Sequence, residues 1–354
     1  MRNSVILDSL INLLLLKRLL LWLLLISTLV LGASAYWVMR PLPLSAPTID
    51  VSIEPNTSVR SIAKGVVQAG VEVQPDLLFL FLRLSGQSRA LRAGSYEINQ
   101  GATALDVLRK LTRGEESLRA VSLIDGWTFK QFRAALNKAE GLKHDSRDMS
   151  DEAIMAHLGM AGVPPEGRFF PDTYTYGKGS SDLRLLQRAA KAMTQQLNTA
   201  WSKRAPDIAI TQMDEALILA SIVEKETGRE SDRTTISSVF HNRLRIGMPL
   251  QTDPTVIYGL GDSFDGNLRR ADLRTDHPWN TYTRKGLPPT PIAMPGKNAL
   301  LAAVQPARSQ ALYFVARGDG SSQFSATLDE HNAAVNRYQR SLSAPKAQST
   351  EQAK

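Results

Sequence analysis

The chain has no cysteine in 354 residues, which excludes a disulfide framework and any thiolate-bound metal. Its five histidines, His144, His157, His241, His277 and His331, include no pair at metal-ligand spacing, so no metal is expected. No G-x-S-x-G elbow, P-loop or Gly-rich dinucleotide turn stands at a strand-to-helix junction, and no cofactor is expected. Basic runs interleaved with aromatics are also missing, which argues against a nucleic-acid partner. The net charge of +8 then favours another anionic partner, an acidic lipid or an anionic cell-wall polymer. For chemistry there remain carboxylates with neutral polar and aromatic neighbours.

Long apolar runs are scarce too, apart from one. Leu19 to Met39 has the length and character of a membrane-spanning helix. Lys17 and Arg18, with Arg2 further out, precede it, which places residues 1–18 in the cytoplasm and the rest of the chain outside. Ala33-Ser-Ala35 resembles a signal-peptidase site, so a removed signal peptide is the competing reading. The apolar run continues past it through Tyr36, Trp37 and Val38, aromatics suited to the far interface, and this favours a retained anchor. Residues 40–47 read as a Pro-rich tether. A basic, exported and tethered protein whose chemistry rests on carboxylates points to a glycan.

With 43% hydrophobic residues the chain can bury a sizeable core and form two or three domains. A loose threefold pattern of strand, tight turn, Ser/Thr and helix predicts helix starts at Thr57 or Ser58, Thr103 and Thr128. A further amphipathic helix at Pro75 to Leu84 makes residues 48–98 strand–helix–helix–strand, the element order of LysM carbohydrate-binding modules. The fold class expected is α+β: an N-terminal transmembrane helix, a LysM-like α/β subdomain over 48–115, then a mainly helical α+β domain over 116–340. Ser181 to Trp201 reads as a basic amphipathic helix with a solvated face, and the Ser/Ala/Gln/Lys tail over 341–354 as disordered.

The centre of the chain is a predicted helix from Met213 to Thr227, capped by Thr211 with Asp214 and stopped by Gly228. It is apolar nearly all round from Ala216 to Val223, so it should be buried. A carboxylate there needs a reason, and two occur, Glu224 and Glu226. At about 100° per residue they lie about 200° apart and cannot face one cleft. Periodicity alone leaves open which of them does chemistry. An apolar surround would raise the pKa of either and hold a proton ready for donation.

Polar loops follow on both sides. Pro164 to Gly177 concentrates Glu166, Asp172 and four aromatics where prolines argue for a loop, to line a sugar site or to plug the core. Behind the central helix, which a helix capped by Ser231 follows, come Asn242, Arg243, Gln251, Thr252, Asp253 and Tyr258, with Asp253 held extended, or in a turn, by Pro254. Asp276 to Gly286 forms a second polar loop, and Thr327 with Glu330 caps a last helix.

Together, Ala220-Ser-Ile-Val-Glu-Lys-Glu-Thr227, Val239-Phe-His-Asn-Arg-Leu244, Leu250-Gln-Thr-Asp-Pro-Thr-Val-Ile-Tyr-Gly259, Asn280-Thr-Tyr282 and Glu166 to Tyr174 resemble the endolytic murein transglycosylases of the MltG (YceG-like) family. The resemblance runs from the anchor to about Tyr338. It implies cleavage of the MurNAc–GlcNAc bond inside nascent peptidoglycan strands, with 1,6-anhydro-MurNAc ends and termination of glycan elongation. It implies a LysM-like unit before the catalytic domain, glycan strands as substrate, peptidoglycan synthases as candidate partners, and an inner-membrane protein with a periplasmic catalytic domain. The catalytic acid it implies is Glu224, with Gln251, Thr252, Asp253, Tyr258, Asn280, Tyr282 and Glu166 as substrate-binding residues. Two rival readings stand beside it. One is a muramidase-type hydrolase with Asp253 or Glu166 as second carboxylate; the other is a non-catalytic, membrane-anchored wall-binding scaffold.

The charge asymmetry around the apolar run makes the first testable prediction. A reporter fused after Lys354 should be active outside the inner membrane; activity confined to the cytoplasm would overturn the topology.

Overall fold

The structure is a computed structural model that describes residues 2–227 and 229–340. The expected stop at Gly228 and the expected tail from Ser341 lie outside the described residues. The chain forms two compact units: the first runs to Arg119 and takes in Tyr176–Gly179, and the second holds Ala120–Thr175 and the chain from Ser180. The α+β expectation holds, with 49% helix and small two-stranded sheets.

In the first unit a single helix, α1 (Arg2–Met39), contains one segment long and apolar enough to span a membrane, Lys17–Met39. The strand–helix–helix–strand order is present: β1 (Thr48–Ile53), α2 (Val59–Gln68), α3 (Pro75–Leu84) and β2 (Gly94–Asn99). The two strands pair antiparallel with Ile49 opposite Ile98 and Val51 opposite Tyr96. Alternation sends Ile49, Val51 and Ile53 inward, where they meet Ile62, Val66, Leu78 and Leu82 of the two helices. A fourth helix, α4 (Ala104–Arg113), closes this core with Val107, Leu108 and Leu111. Its capping box is Thr103 with Asp106, and its last carbonyls are met by Gly114 in the left-handed region (φ 70°). Between the alternatives Thr57 and Ser58, the cap of α2 is Ser58.

The chain then makes β3 (Leu118–Ser122), α5 (Phe129–Lys138, capped by Thr128 and Gln131 as expected), α6 (Asp151–His157) and β4 (Thr173–Gly177). β4 corrects the expectation of an irregular stretch over Pro164 to Gly177. Its prolines end at Pro171, and the alternating Thr-Tyr-Thr-Tyr that follows is free to extend. Phe169, Tyr174 and Tyr176 are buried as core side chains, Phe169 stacking on Phe129 with centroids 4.9 Å apart. Phe170, from the same loop, lines a cleft.

The second unit is built around α8 (Met213–Glu226), preceded by α7 (Asp182–Ser202) and followed by α9 (Glu230–Arg245) and α10 (Asp253–Leu260). A short α11 (Arg270–Arg274), α12 (Lys297–Val304), the hairpin of β5 (Tyr313–Ala316) and β6 (Ser322–Ser325), and α13 (Leu328–Val335) complete it. As its composition demands, α8 buries Ala216, Leu217, Leu219, Ala220, Ile222 and Val223 in one core with residues of α7, α9 and α12. Its start differs from expectation by one residue. Gln212 is the cap, and Glu215 accepts the Gln212 N–H at 2.9 Å. Asp214 is drawn away from capping by a two-pronged pair with Arg168 at 2.9 and 3.1 Å. Likewise the N-cap position of α9 is Arg229 rather than Ser231, with no side-chain capping bond. Asp253 opens α10, so the extended residue is Thr252 before it.

A buried imidazole ties these helices together. His241 of α9 accepts the Ala209 N–H on Nδ1 at 3.0 Å and meets the Ala303 carbonyl through Nε2 at 2.8 Å. The Nδ1 bond requires a neutral ring, and burial lowers the pKa from 6.5. A depressed pKa gives stability that is whole above the unfolded value and lost as pH falls below about 6.5 towards the folded value. The difference in denaturation midpoint between wild type and His241→Gln should therefore shrink as pH drops below about 6.5. A difference independent of pH would sink this account.

Candidate active site

Because α8 is buried from Ala216 to Val223 except at the half-buried Ile218, its carboxylates stand at its two ends. Asp214 and Glu215 serve the first turn, and Glu224 and Glu226 emerge at the C-terminal end. There the two acids diverge as the helical spacing requires. Glu226 faces the segment that begins α10, and Glu224 faces α9 and the N-terminus of α12.

Around Glu226 the structure gathers three of the residues carried over from the resemblance. The Thr252 hydroxyl donates to Glu226 Oε1. The Tyr282 hydroxyl donates to Asp253 Oδ1 at 2.5 Å, and both groups act electrostatically on Glu226 or on each other. Burial pushes the Glu226 carboxyl up to about 7; the Thr252 bond opposes this, the Asp253 charge adds to it, and the Arg243 charge opposes it. The scaffold behind this cluster is rigid. Thr252 N–H donates to Thr281 Oγ1 at 3.1 Å, and Gln251 N–H to the Thr281 carbonyl at 3.1 Å. Arg243, buried, holds the same turn by donating to the Leu250 carbonyl at 2.8 Å and the Leu312 carbonyl at 2.7 Å. Gly259 lets the Asp276–Tyr282 loop press on α10, since a Cβ there would come within 2.1 Å of the His277 ring.

Glu224 stands in a different setting. Its Oε2 accepts the Gly296 N–H, the cap position of α12, at 2.9 Å, and its Oε1 lies 3.7 Å from Arg233. The cleft there measures about 360 Å³ and is lined by Asp125, Phe170, Asp172, Arg233, Lys297 and Asn298 among others. Burial raises the Glu224 pKa, whereas the Gly296 bond and the Arg233 charge favour the ionised form. Asp125, also raised by burial, sits so close to Gly296 that a Cβ there would meet its oxygen at 2.5 Å.

The remaining expected residues separate from both acids. Glu166 is buried, takes the Phe129 N–H at 3.1 Å and bonds Tyr258, and its carboxyl rises to about 7 through burial. Asn280 is fully buried and spends its amide on the loop: its Nδ2 donates to the Asp272, Leu273 and Thr275 carbonyls, and its Oδ1 accepts the Tyr282 N–H at 2.9 Å. It shapes the loop that presents Tyr282. Gln251 is exposed, with φ 46°, at the rim beside Thr252. Arg243 belongs with the Glu226 cluster although only its place in the Asn-Arg-Leu motif hinted at it. Arg233 and Asp125 carried no sequence signal, because a lone arginine and an Asp-Gly turn are common surface features.

The YceG-like family profile matches residues 51–337, most of the chain. This chain belongs to the YceG-like family. An endolytic murein transglycosylase of Bacillus subtilis is 31% identical over 315 residues, covering 83% of this chain and 86% of that protein. One from Streptococcus pneumoniae is 26% identical over 334 residues, covering 83% of this chain but 59% of its own length. Among solved structures, a yceG-like protein of Listeria monocytogenes at 28% identity superposes with a TM-score of 0.51 over 81% of this chain and 98% of its own. The family match spans Glu224, Glu226 and every polar residue gathered at Glu226.

The opposed influences on Glu226 are separable by titration. In carboxyl-carbon NMR its midpoint should lie near 7. Thr252→Val should raise it, by removing a bond to the ionised form, and Asp253→Asn should lower it, by removing a like charge. Unmoved midpoints in both folded variants would mean these contacts do not govern the group.

Proposed function

We propose that this YceG-like chain is an endolytic murein transglycosylase, cutting the MurNAc–GlcNAc bond within nascent peptidoglycan strands and leaving 1,6-anhydro-MurNAc ends. The observation that carries the site assignment is the ring of Thr252, Asp253 and Tyr282 around a carboxyl with a pKa of about 7. That carboxyl is Glu226, and this moves the catalytic role from Glu224, where the resemblance had put it. A general acid must hold its proton at neutral pH. Burial raises both carboxyls. Glu226 reaches about 7, with the Asp253 charge adding to burial against the Thr252 bond and the Arg243 charge. At Glu224 the Gly296 N–H and the Arg233 charge are the leading influences after burial, and both favour the ionised form. Glu224 then serves as a cap for α12 and a counterion for Arg233.

One carboxyl is enough for this chemistry. Glu226 gives its proton to the leaving GlcNAc oxygen as the glycosidic bond breaks. As carboxylate it then takes the proton of the muramic C6 hydroxyl, whose oxygen closes on C1 to form the anhydro ring. Because the nucleophile is part of the substrate, its effective concentration is high and no second carboxylate is needed to activate water. Asp253 and Tyr282, linked at 2.5 Å, orient sugar hydroxyls at the rim.

The remaining assignments follow the same reading. Lys17–Met39 anchors the chain in the inner membrane, with Lys17 and Arg18 on the cytoplasmic side and the catalytic domain in the periplasm. Residues 48–115 form a LysM-like unit, supported by the antiparallel pairing of β1 with β2 around two helices. Residues 116–340 form the catalytic domain. The substrate is growing glycan, which makes peptidoglycan synthases the natural partners.

Mass spectrometry of products from the full chain and uncrosslinked glycan strands tests this directly: anhydro ends support it and reducing ends refute it. Glu226→Gln should lower activity by orders of magnitude with the fold kept, while Glu224→Gln should act mainly on stability. The reverse pattern would return the acid to Glu224. Asp253→Asn should cost about 1–3 kcal/mol, or ten- to a hundredfold, with anhydro ends still formed. Loss as complete as in Glu226→Gln would favour the hydrolytic mechanism with two carboxylates.

A further inference from the structure

Helix α3 has two apolar faces, and the core uses one. Leu78 and Leu82 are fully buried, whereas Leu77, Leu80 and Leu84 are 42%, 50% and 75% exposed. At about 100° per residue, Leu77, Leu80, Phe81 and Leu84 fall within one arc of about 100°. At the edge of that arc nearer the core, Phe81 meets Trp37, edge to face, with ring centroids 6.0 Å apart. Trp37 belongs to the last turn of α1, where the membrane-spanning segment ends. The exposed leucines therefore stand beside the point at which the chain leaves the bilayer. Arg83, Arg89 and Arg92 follow within ten residues, with no carboxylate among residues 83–92.

We propose that this face of α3 is a lipid-contact surface, laid into the headgroup region of the membrane that holds α1. Leu77, Leu80 and Leu84 enter the acyl boundary, and Arg83, Arg89 and Arg92 meet acidic headgroups. An apolar face with arginines close by, Arg83 on the helix and Arg89 and Arg92 in the segment that follows it, is what contact with the headgroup region requires. Trp37 sits at the depth aromatics favour and fastens α3 to the anchor. The first unit is thereby held against the membrane surface instead of swinging on its tether. The proposal rests on reading Lys17–Met39 as an anchor, and the test separates the two.

Since the chain has no cysteine, a single introduced one can be spin-labelled without background. The full chain is placed in nanodiscs containing acidic lipid and labelled in turn at Leu25→Cys, Leu80→Cys, Leu84→Cys and the exposed Gln195→Cys of α7. Relaxation by oxygen, which partitions into lipid, is compared with relaxation by a water-soluble nickel complex. Labels at Leu80 and Leu84 should lose the nickel effect and keep the oxygen effect, as the label at Leu25 does, while Gln195 shows the reverse. Nickel access at Leu80 and Leu84 equal to that at Gln195, with Leu25 still lipid-like, overturns the proposal and leaves the anchor standing. A water-like Leu25 overturns the anchor and the proposal with it. Shielding of Leu80 and Leu84 from both reagents would mean that protein covers the face, which also overturns it. Leu84 is so exposed that its replacement leaves the core intact, so failure of the Leu80 variant to fold does not block the reading.

Discussion

Desolvation of the Glu226 carboxyl at the end of a helix with an apolar, buried middle is the constraint on which the second unit turns. A carboxylate leaving water without partners is costly, and α8 offers it none from within its own apolar body. The surroundings answer in two ways. Thr252 supplies one hydrogen bond, and the raised pKa lets the group keep a proton and avoid the buried charge. The packing that makes α8 the core of the unit thus also tunes the acid at its end. Moving α8 by a fraction of a turn would disturb both together.

The same helix shows how two identical side chains acquire different work from their neighbours. Glu224 and Glu226 share a backbone, a local sequence and partial burial, and each meets a cation and a like charge. Yet the hydrogen-bond donor is a helix N-terminus for Glu224 and a hydroxyl for Glu226, and after that bond the Arg233 cation leads at Glu224 and the Asp253 charge at Glu226. A carboxylate at a helix N-terminus is stabilised as an anion. One next to Asp253 is stabilised as an acid. Separation by about 200° around the helix keeps these two fields from mixing.

Much of the fold could be read from local residues. Thr103, Thr128 and Thr327 cap the helices they were expected to cap, and Pro75–Leu84 is the helix that its apolar spacing predicts. These features depend on residues three or four apart. The opposed facing of Glu224 and Glu226 was legible for the same reason. Their roles were not, because Gly296 lies 72 residues beyond Glu224 and Thr252 lies 26 beyond Glu226. Asn280 and Glu166 looked like ligands for a sugar, but their polar atoms are taken up by carbonyls and N–H groups that only the folded chain brings near. Thr173–Gly177 read as loop because the prolines before it dominated the pattern.

The route of the chain through Tyr176–Gly179 has a consequence for inheritance. These four residues belong to the first unit although they are encoded deep within the second. Lys178 pairs with Asp50, Ser95 Oγ donates to the Lys178 carbonyl at 3.1 Å, and Gly177 lies so close to Ser95 that a Cβ would meet its hydroxyl at 2.2 Å. A gene segment ending near Arg119 would encode the first unit without the strand end that completes it. Exchange of this module with another protein by simple fusion at that boundary is therefore disfavoured, and the two units should be passed on as one block whose substitutions at Ser95 and Gly177 must change in step.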